Sequence, residues 1–135
     1  MKQVLVIGGG GREHAIVYAL SRSPQVGKIY CAPGNAGIAA LAECVALKDT
    51  DVEGLLAFAK EHRIDLTVVG PEAALAAGVV DTFRAEGLPI FGHTKAATQI
   101  ESSKEFAKQI MTRYGIPTAA YRSFDRYEDA IAYVR

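Results

Sequence analysis

Two kinds of hydrophobic pattern alternate along the first two-thirds of the chain. Short apolar runs occur at Val4-Leu5-Val6-Ile7, Lys28-Ile29-Tyr30-Cys31, Cys44-Val45-Ala46-Leu47, Leu66-Thr67-Val68-Val69 and Pro89-Ile90-Phe91-Gly92. Their β-branched content reads as five strands, the first of them buried on both faces. Between them the spacing changes to the helical period. Ile16, Ala19 and Leu20 form a short stripe in residues 12–21, and Val52, Leu55, Leu56 and Ala59 form a clear one. Thr50 with Glu53 has the spacing of a capping box for that second helix. An alanine-rich helix is expected over residues 73–85, closed by Gly87. Strands alternating with helices predict an α/β fold with a doubly wound parallel sheet, in which ligands sit beyond the carboxyl ends of the strands. Three loops leave such ends, at residues 8–11, 33–37 and 70–72, and they are expected to form one composite site.

The pattern changes near Thr94. Residues 95–99 read as a helical turn, and Ser102 with Glu105 as a capping box for a helix carrying Phe106, Ile110 and Tyr114. Ala120-Tyr121-Arg122-Ser123-Phe124 reads as a strand. Asp125 with Glu128 then opens a last helix with Ala130, Ile131 and Val134 on one side. That helical pattern is still running at Arg135, with no terminating glycine. The expectation is one domain over residues 1–100, followed by a linker helix and the incomplete start of a second domain over 101–135.

Composition narrows the function. Half of the 135 residues are apolar and 22% are charged, with fifteen basic and fifteen acidic side chains. That balance argues against a nucleic-acid or anionic-membrane surface. Cys31 and Cys44 are the only cysteines and form no CxxC, so neither a zinc site nor a disulfide framework is indicated, and buried thiols are expected. No apolar run reaches membrane-spanning length, and a cytoplasmic protein is expected.

The candidate chemistry begins at the first strand's end, with Gly8-Gly9-Gly10-Gly11-Arg12-Glu13-His14-Ala15. Four glycines allow a sharp turn and leave room for a ligand, and the helix that follows aims its unpaired N–H groups and positive dipole end into that turn. Such a turn suits an anion, phosphate above all. A tight turn that binds nothing is the plain alternative. The dinucleotide pattern G-x-G-x-x-G is not completed: Glu13 stands third when the pattern starts at Gly8, and His14 when it starts at Gly9. No acid ends the second strand to hold a ribose diol, so a nicotinamide-dinucleotide domain is weakly supported. A Walker loop fails for want of Gly-Lys-Ser/Thr. A phosphate on a smaller molecule remains.

Arg12 either adds a charge-assisted bond to that anion or is an exposed helix residue. Glu13 suits the helix dipole. Glu72, between a strand and a helix, either accepts bonds from sugar hydroxyls or an amine or is a helix-start acid. Asn35, flanked by Gly34 and Gly37, either serves a polar ligand or holds a turn. His14, His62 and His93 read as packed or surface residues, and no catalytic triad or metal cluster can be assembled from spacing.

Taken together, Gly8 to Ala15, Pro33-Gly34-Asn35-Ala36-Gly37, Val69-Gly70-Pro71-Glu72-Ala73, Ser103-Lys104-Glu105-Phe106-Ala107-Lys108 and Ile116-Pro117-Thr118-Ala119-Ala120-Tyr121 resemble the phosphoribosylamine–glycine ligase (glycinamide ribonucleotide synthetase) family. Their order and spacing cover essentially the whole chain. Three positions depart from the family's usual pattern, with Ala74, His93 and Ser102 where it has Pro, Pro and Gly. The resemblance implies an ATP-dependent ligation of glycine to 5-phosphoribosylamine in purine biosynthesis, with Mg²⁺ or Mn²⁺, and a Rossmann-like domain ahead of an ATP-grasp domain. It implies substrate contacts from Gly8, Gly9, Gly10, Gly11, Arg12, Asn35, Gly70, Pro71 and Glu72, and a nucleotide contact from Lys104. The catalytic residues and metal ligands are expected beyond Arg135, which leaves the isolated piece inactive. Small-molecule substrates are the expected partners, and a monomer the expected state. A stand-alone phosphosugar-binding module is the alternative function.

Overall fold

The computed structural model describes residues 1–135 and divides into two compact units, Met1–Thr98 and Gln99–Arg135. In the first unit, β1 (Lys2–Gly8), β2 (Val26–Pro33), β3 (Glu43–Cys44), β4 (Leu66–Val69) and β5 (Ile90–Phe91) form one sheet in the order β3-β2-β1-β4-β5. Every pair in it is parallel. The chain moves outward from β1 through β2 to β3, then returns to the other side of β1 with β4, so the strand order reverses between β1 and β4. Ligands of such sheets gather at that reversal.

β1 lies at the centre, and its side chains alternate. Leu5 and Ile7 face a core with Tyr30, Ala32 and Val69, covered by α2 (Val52–Glu61), α3 (Glu72–Ala77) and α4 (Val79–Ala85) through Leu55, Ala59, Leu75, Val80 and Phe83. Val4 and Val6 face a second core with Ile29, Cys31 and Ile38, covered by Val17 of α1 (Gly11–Ser21) and by the 3₁₀ turn Ile38–Ala40. Helical cover on both faces explains the unbroken apolar run of β1. The register sets Gly8 opposite Pro33 and Ile7 opposite Val69, so the loops after β1, β2 and β4 leave the sheet at one level. The Ala32–Pro33 peptide is cis.

Several local expectations are corrected. Ile16 and Leu20 of the expected stripe pack half-buried against the second core, but the buried residues of α1 are Glu13 and Val17, and Ala19 is exposed. β3 is two residues long because Val45, after donating to the Cys31 carbonyl, leaves the sheet. Asp51 rather than Thr50 caps α2, accepting the Gly54 N–H at 3.0 Å. The alanine-rich helix breaks at Gly78, whose φ of +92° ends α3 and starts α4.

α5 (Lys95–Ser102) runs across the boundary between the units. The second unit continues with α6 (Lys104–Arg113) and α7 (Tyr127–Val134), neither of which buries a residue. Ser103, not Ser102, caps α6 by accepting the Phe106 N–H. Lys108 ties α6 to the following segment through the Thr118 hydroxyl and the Ala119 carbonyl. Residues 120–124 are not a strand, and α7 is entered from Arg126 without the Asp125 cap. Arg122 lies over the rings of Phe124 and Tyr133 in their place.

Candidate functional site

The three glycine-bearing loops meet at the reversal of strand order. Gly34 N–H donates to the Gly8 carbonyl at 3.1 Å, and Asn35 Nδ2 donates to the Gly9 carbonyl at 2.8 Å. Gly70 N–H donates to the Ile7 carbonyl at 3.0 Å. The loop after β1 is thereby held from both sides. Asn35 works at both ends of its amide, since Oδ1 also accepts the Ile38 N–H at 2.9 Å and starts the 3₁₀ turn. It shapes the loop, as the turn-holding reading expected.

The glycines of residues 8–11 are filled from within more than they are left open. Gly8 has φ +123°, and a methyl there would meet the Glu13 Cγ at 2.6 Å and the Pro71 ring at 2.9 Å. A methyl on Gly9 would meet the Gly34 carbonyl oxygen at 2.6 Å, and one on Gly10 would lie 3.1 Å from Glu13 Oε2. Gly70 abuts Glu13 Oε1 so closely that any side chain would overlap it. Only Gly11, the first residue of α1, borders open space. It lines a hollow of about 330 Å³ with His14, Ala15 and Tyr18.

Glu13 is the group that fills the turn. Its residue is 3% exposed. Oε2 accepts the Gly10 N–H at 2.7 Å and Oε1 accepts Arg12 Nε at 2.8 Å. Burial alone would push its carboxyl up, but the bonds from Arg12 and Gly10 and the Arg12 charge outweigh burial and hold it below the usual carboxylate range. The helix therefore begins with an anion of its own, the reciprocal half of a capping box. Sequence reasoning gave Glu13 to the helix dipole and missed its burial. The signal was the four-residue spacing to Val17, which puts both on the inward face of α1.

Arg12 joins the loops after β1 and β4. Beyond its bond to Glu13, its Nη2 lies 4.0 Å from Glu72 Oε2. Both partners of that longer contact are more than half exposed. An ion pair so long and wet contributes little stability. Glu72 opens α3 after Pro71, which occupies the capping position. The edge of the site thus offers a cation, a carboxylate and the start of α1 within one patch. Lys104 is the first residue of α6, in the second unit, and is exposed.

Of the remaining candidates, His62 and Cys31 serve packing. His62 stacks on Phe58 with ring centroids 3.9 Å apart and meets Tyr30 edge-on. Cys31 is buried with its thiol pushed up to about 12, chiefly by burial, and points at the Gly8 carbonyl. Cys44 is exposed and also a free thiol, where a buried one was expected. No group of three or more His, Cys, Asp or Glu is gathered in a way that could hold a metal ion. The residues present therefore do not fit the Mg²⁺ or Mn²⁺ of the resemblance, and no step through a metal is derived from them. No helix is long and apolar enough to cross a membrane.

Residues 2–101 match the family model "Phosphoribosylglycinamide synthetase, N domain". The chain is 56% identical over 133 residues to the phosphoribosylamine–glycine ligase of Caldanaerobacter subterraneus subsp. tengcongensis, covering 98% of this chain and 32% of that protein. It is 55% identical over 135 residues to the Vibrio cholerae protein of the same name, again covering 98% and 32%. Among solved structures, the Thermotoga maritima phosphoribosylamine–glycine ligase superposes with a TM-score of 0.71 at 27% identity, over 98% of this chain and 30% of that one. The chain thus spans about a third of the length of the relatives it matches. On this match, the chain belongs to the phosphoribosylglycinamide synthetase family and contains its N domain.

Proposed function

We propose that this chain is the substrate-side part of a phosphoribosylamine–glycine ligase, holding 5-phosphoribosylamine where the loops after β1, β2 and β4 meet. The observation that carries the reading is the patch at the strand-order reversal, where the start of α1, Arg12 and Glu72 converge in a chain more than half identical to two proteins named for that reaction. The open rim at Gly11 and the first turn of α1 take the 5′-phosphate, with Arg12 adding a charged donor. Gly8, Gly9, Gly10, Gly70, Pro71 and Asn35 act by shaping that rim. Glu72 accepts from the ribosylamine, its loose pairing with Arg12 giving way to the substrate's amine and phosphate.

The reaction needs a carboxylate turned into an electrophile. ATP transfers its terminal phosphoryl group to the glycine carboxylate and leaves as ADP, the amine of phosphoribosylamine attacks the acyl carbon and gives up a proton, and phosphate leaves with the electron pair of the broken C–O bond. This chain's share is to orient the amine and fix the phosphate, a positioning task. Residues 101–135 are read as the opening of the ATP-grasp domain, with Lys104 reaching the nucleotide, in a cytoplasmic enzyme that works on phosphorylated metabolites.

A chimera tests the reading. Residues 1–135 are joined in place of the aligned segment of the Vibrio cholerae relative and assayed for ATP-dependent glycinamide ribonucleotide formation. The chimera is expected to turn over, and Glu72→Gln in it to raise KM for phosphoribosylamine about tenfold, as one charge-assisted bond is lost. The 135-residue chain alone is expected to form no product. A folded but inactive chimera, or an active isolated chain, overturns the assignment.

A further inference from the structure

A glycine-rich turn leading into a helix, at the reversal point of a parallel sheet, is where dinucleotides are ordinarily held. Their second glycine lets the backbone approach the diphosphate, and their third lets the helix pack closely on the strand. Here Gly8 and Gly10 fill the first two places and Glu13 stands in the third. Its side chain turns back into the loop. Oε2 takes the Gly10 N–H at 2.7 Å, the side chain lies against Gly8, and Oε1 lies against Gly70. With the residue 3% exposed, the carboxylate already takes the N–H of the second glycine.

We propose that Glu13 is the specificity-determining residue of this loop: its carboxylate fills the inner turn and repels a second phosphate, so the loop accepts one terminal phosphate at the Gly11 rim and rejects a dinucleotide's diphosphate. This rests on reading the loop as a phosphosugar site. Two properties support it beyond position. The carboxylate stays ionised at neutral pH because Arg12 and the Gly10 N–H hold it so against the effect of burial. Its bonds to the Gly10 N–H and to Arg12 Nε, with the residue 3% exposed, also hold it in the turn. A purely structural Glu13 would affect all ligands of the loop alike, whereas a selective one changes their ratio.

The test uses the 135-residue chain, with ribose 5-phosphate and ADP-ribose as probes and calorimetric titration as the readout. The wild type is expected to bind ribose 5-phosphate and to bind ADP-ribose measurably but at least about tenfold more weakly. Glu13→Gln keeps the shape and removes the charge. It should raise the affinity for ADP-ribose relative to ribose 5-phosphate by about tenfold, the scale of one like-charge contact relieved at a partly desolvated site. Glu13→Gly should raise the ratio further by opening the turn, and if it fails to fold the Gln variant carries the test. Equal affinity of the wild type for both probes, or an unchanged ratio in Glu13→Gln, overturns the inference while leaving the phosphosugar reading standing. A wild type that binds neither probe removes that reading and the inference with it.

Discussion

Glu13 and the glycines around it carry the residue-scale account. The carboxylate satisfies the Gly10 N–H and anchors Arg12, so Glu13→Ala strips a partner from a part-buried N–H and leaves a void beside Gly8 and Gly70. A loss of about 1–3 kcal/mol is expected in urea unfolding. Its pH signature has a definite sign. The folded carboxyl is held below its ordinary 4.5, so its contribution is complete above that value and disappears as pH falls through it toward the folded value. Asp65, held low by the Gln3 N–H and Lys2, adds a slope of the same sign. The stability difference between wild type and Glu13→Gln should therefore be constant near neutrality and shrink below about pH 4.5. A difference that grows on acidification would contradict the assignment. The glycines divide in the same way. Gly70→Ala drives a methyl into Glu13 and should cost about 1–3 kcal/mol. Gly11→Ala meets nothing and should be neutral or stabilising by about 0.5–1 kcal/mol, while crowding the rim where phosphate is read to bind. The run of glycines was legible as a special turn. That the turn is filled by the protein's own carboxylate was not, because Gly70 lies far from Glu13 in sequence and only the sheet brings them together.

At the scale of elements, the central strands and the helical spacing of α2 were readable because burial imposes a period. Leu55 and Ala59 are buried where the stripe put them. The failures are local competitions that a period does not report. Thr50 and Asp51 both suit a cap, and the backbone chose Asp51. Asp51→Ala should cost about 1 kcal/mol in thermal unfolding, whereas Thr50→Ala should be near neutral. The alanine-rich pattern over residues 73–85 runs through Gly78, whose left-handed φ of +92° divides α3 from α4. Gly78→Ala should then destabilise by about 1–2 kcal/mol, rather than stabilise as in a continuous helix. Residues 120–124 have a strand's composition without a neighbouring strand to pair with, and composition cannot supply the partner.

For the whole molecule, the order of strands and helices was enough to reach a parallel sheet and its ligand edge, because connection rules leave few topologies. The site's charge pattern needed the fold: Arg12 meets Glu72 only because β1 and β4 are neighbours. The two units also differ in depth of core. β1, β2 and β4 carry fully buried side chains, whereas α6 and α7 bury none. Amide exchange should accordingly be slowest in Val4–Ile7 and fastest through residues 103–135. The central claim, that the loop after β1 is a phosphosugar site, is met most directly by amide chemical shifts of the 135-residue chain titrated with ribose 5-phosphate. Saturable shifts confined to residues 9–12 and the start of α3 are expected, weakened by Arg12→Ala. Flat amides at those positions across millimolar ligand would contradict it.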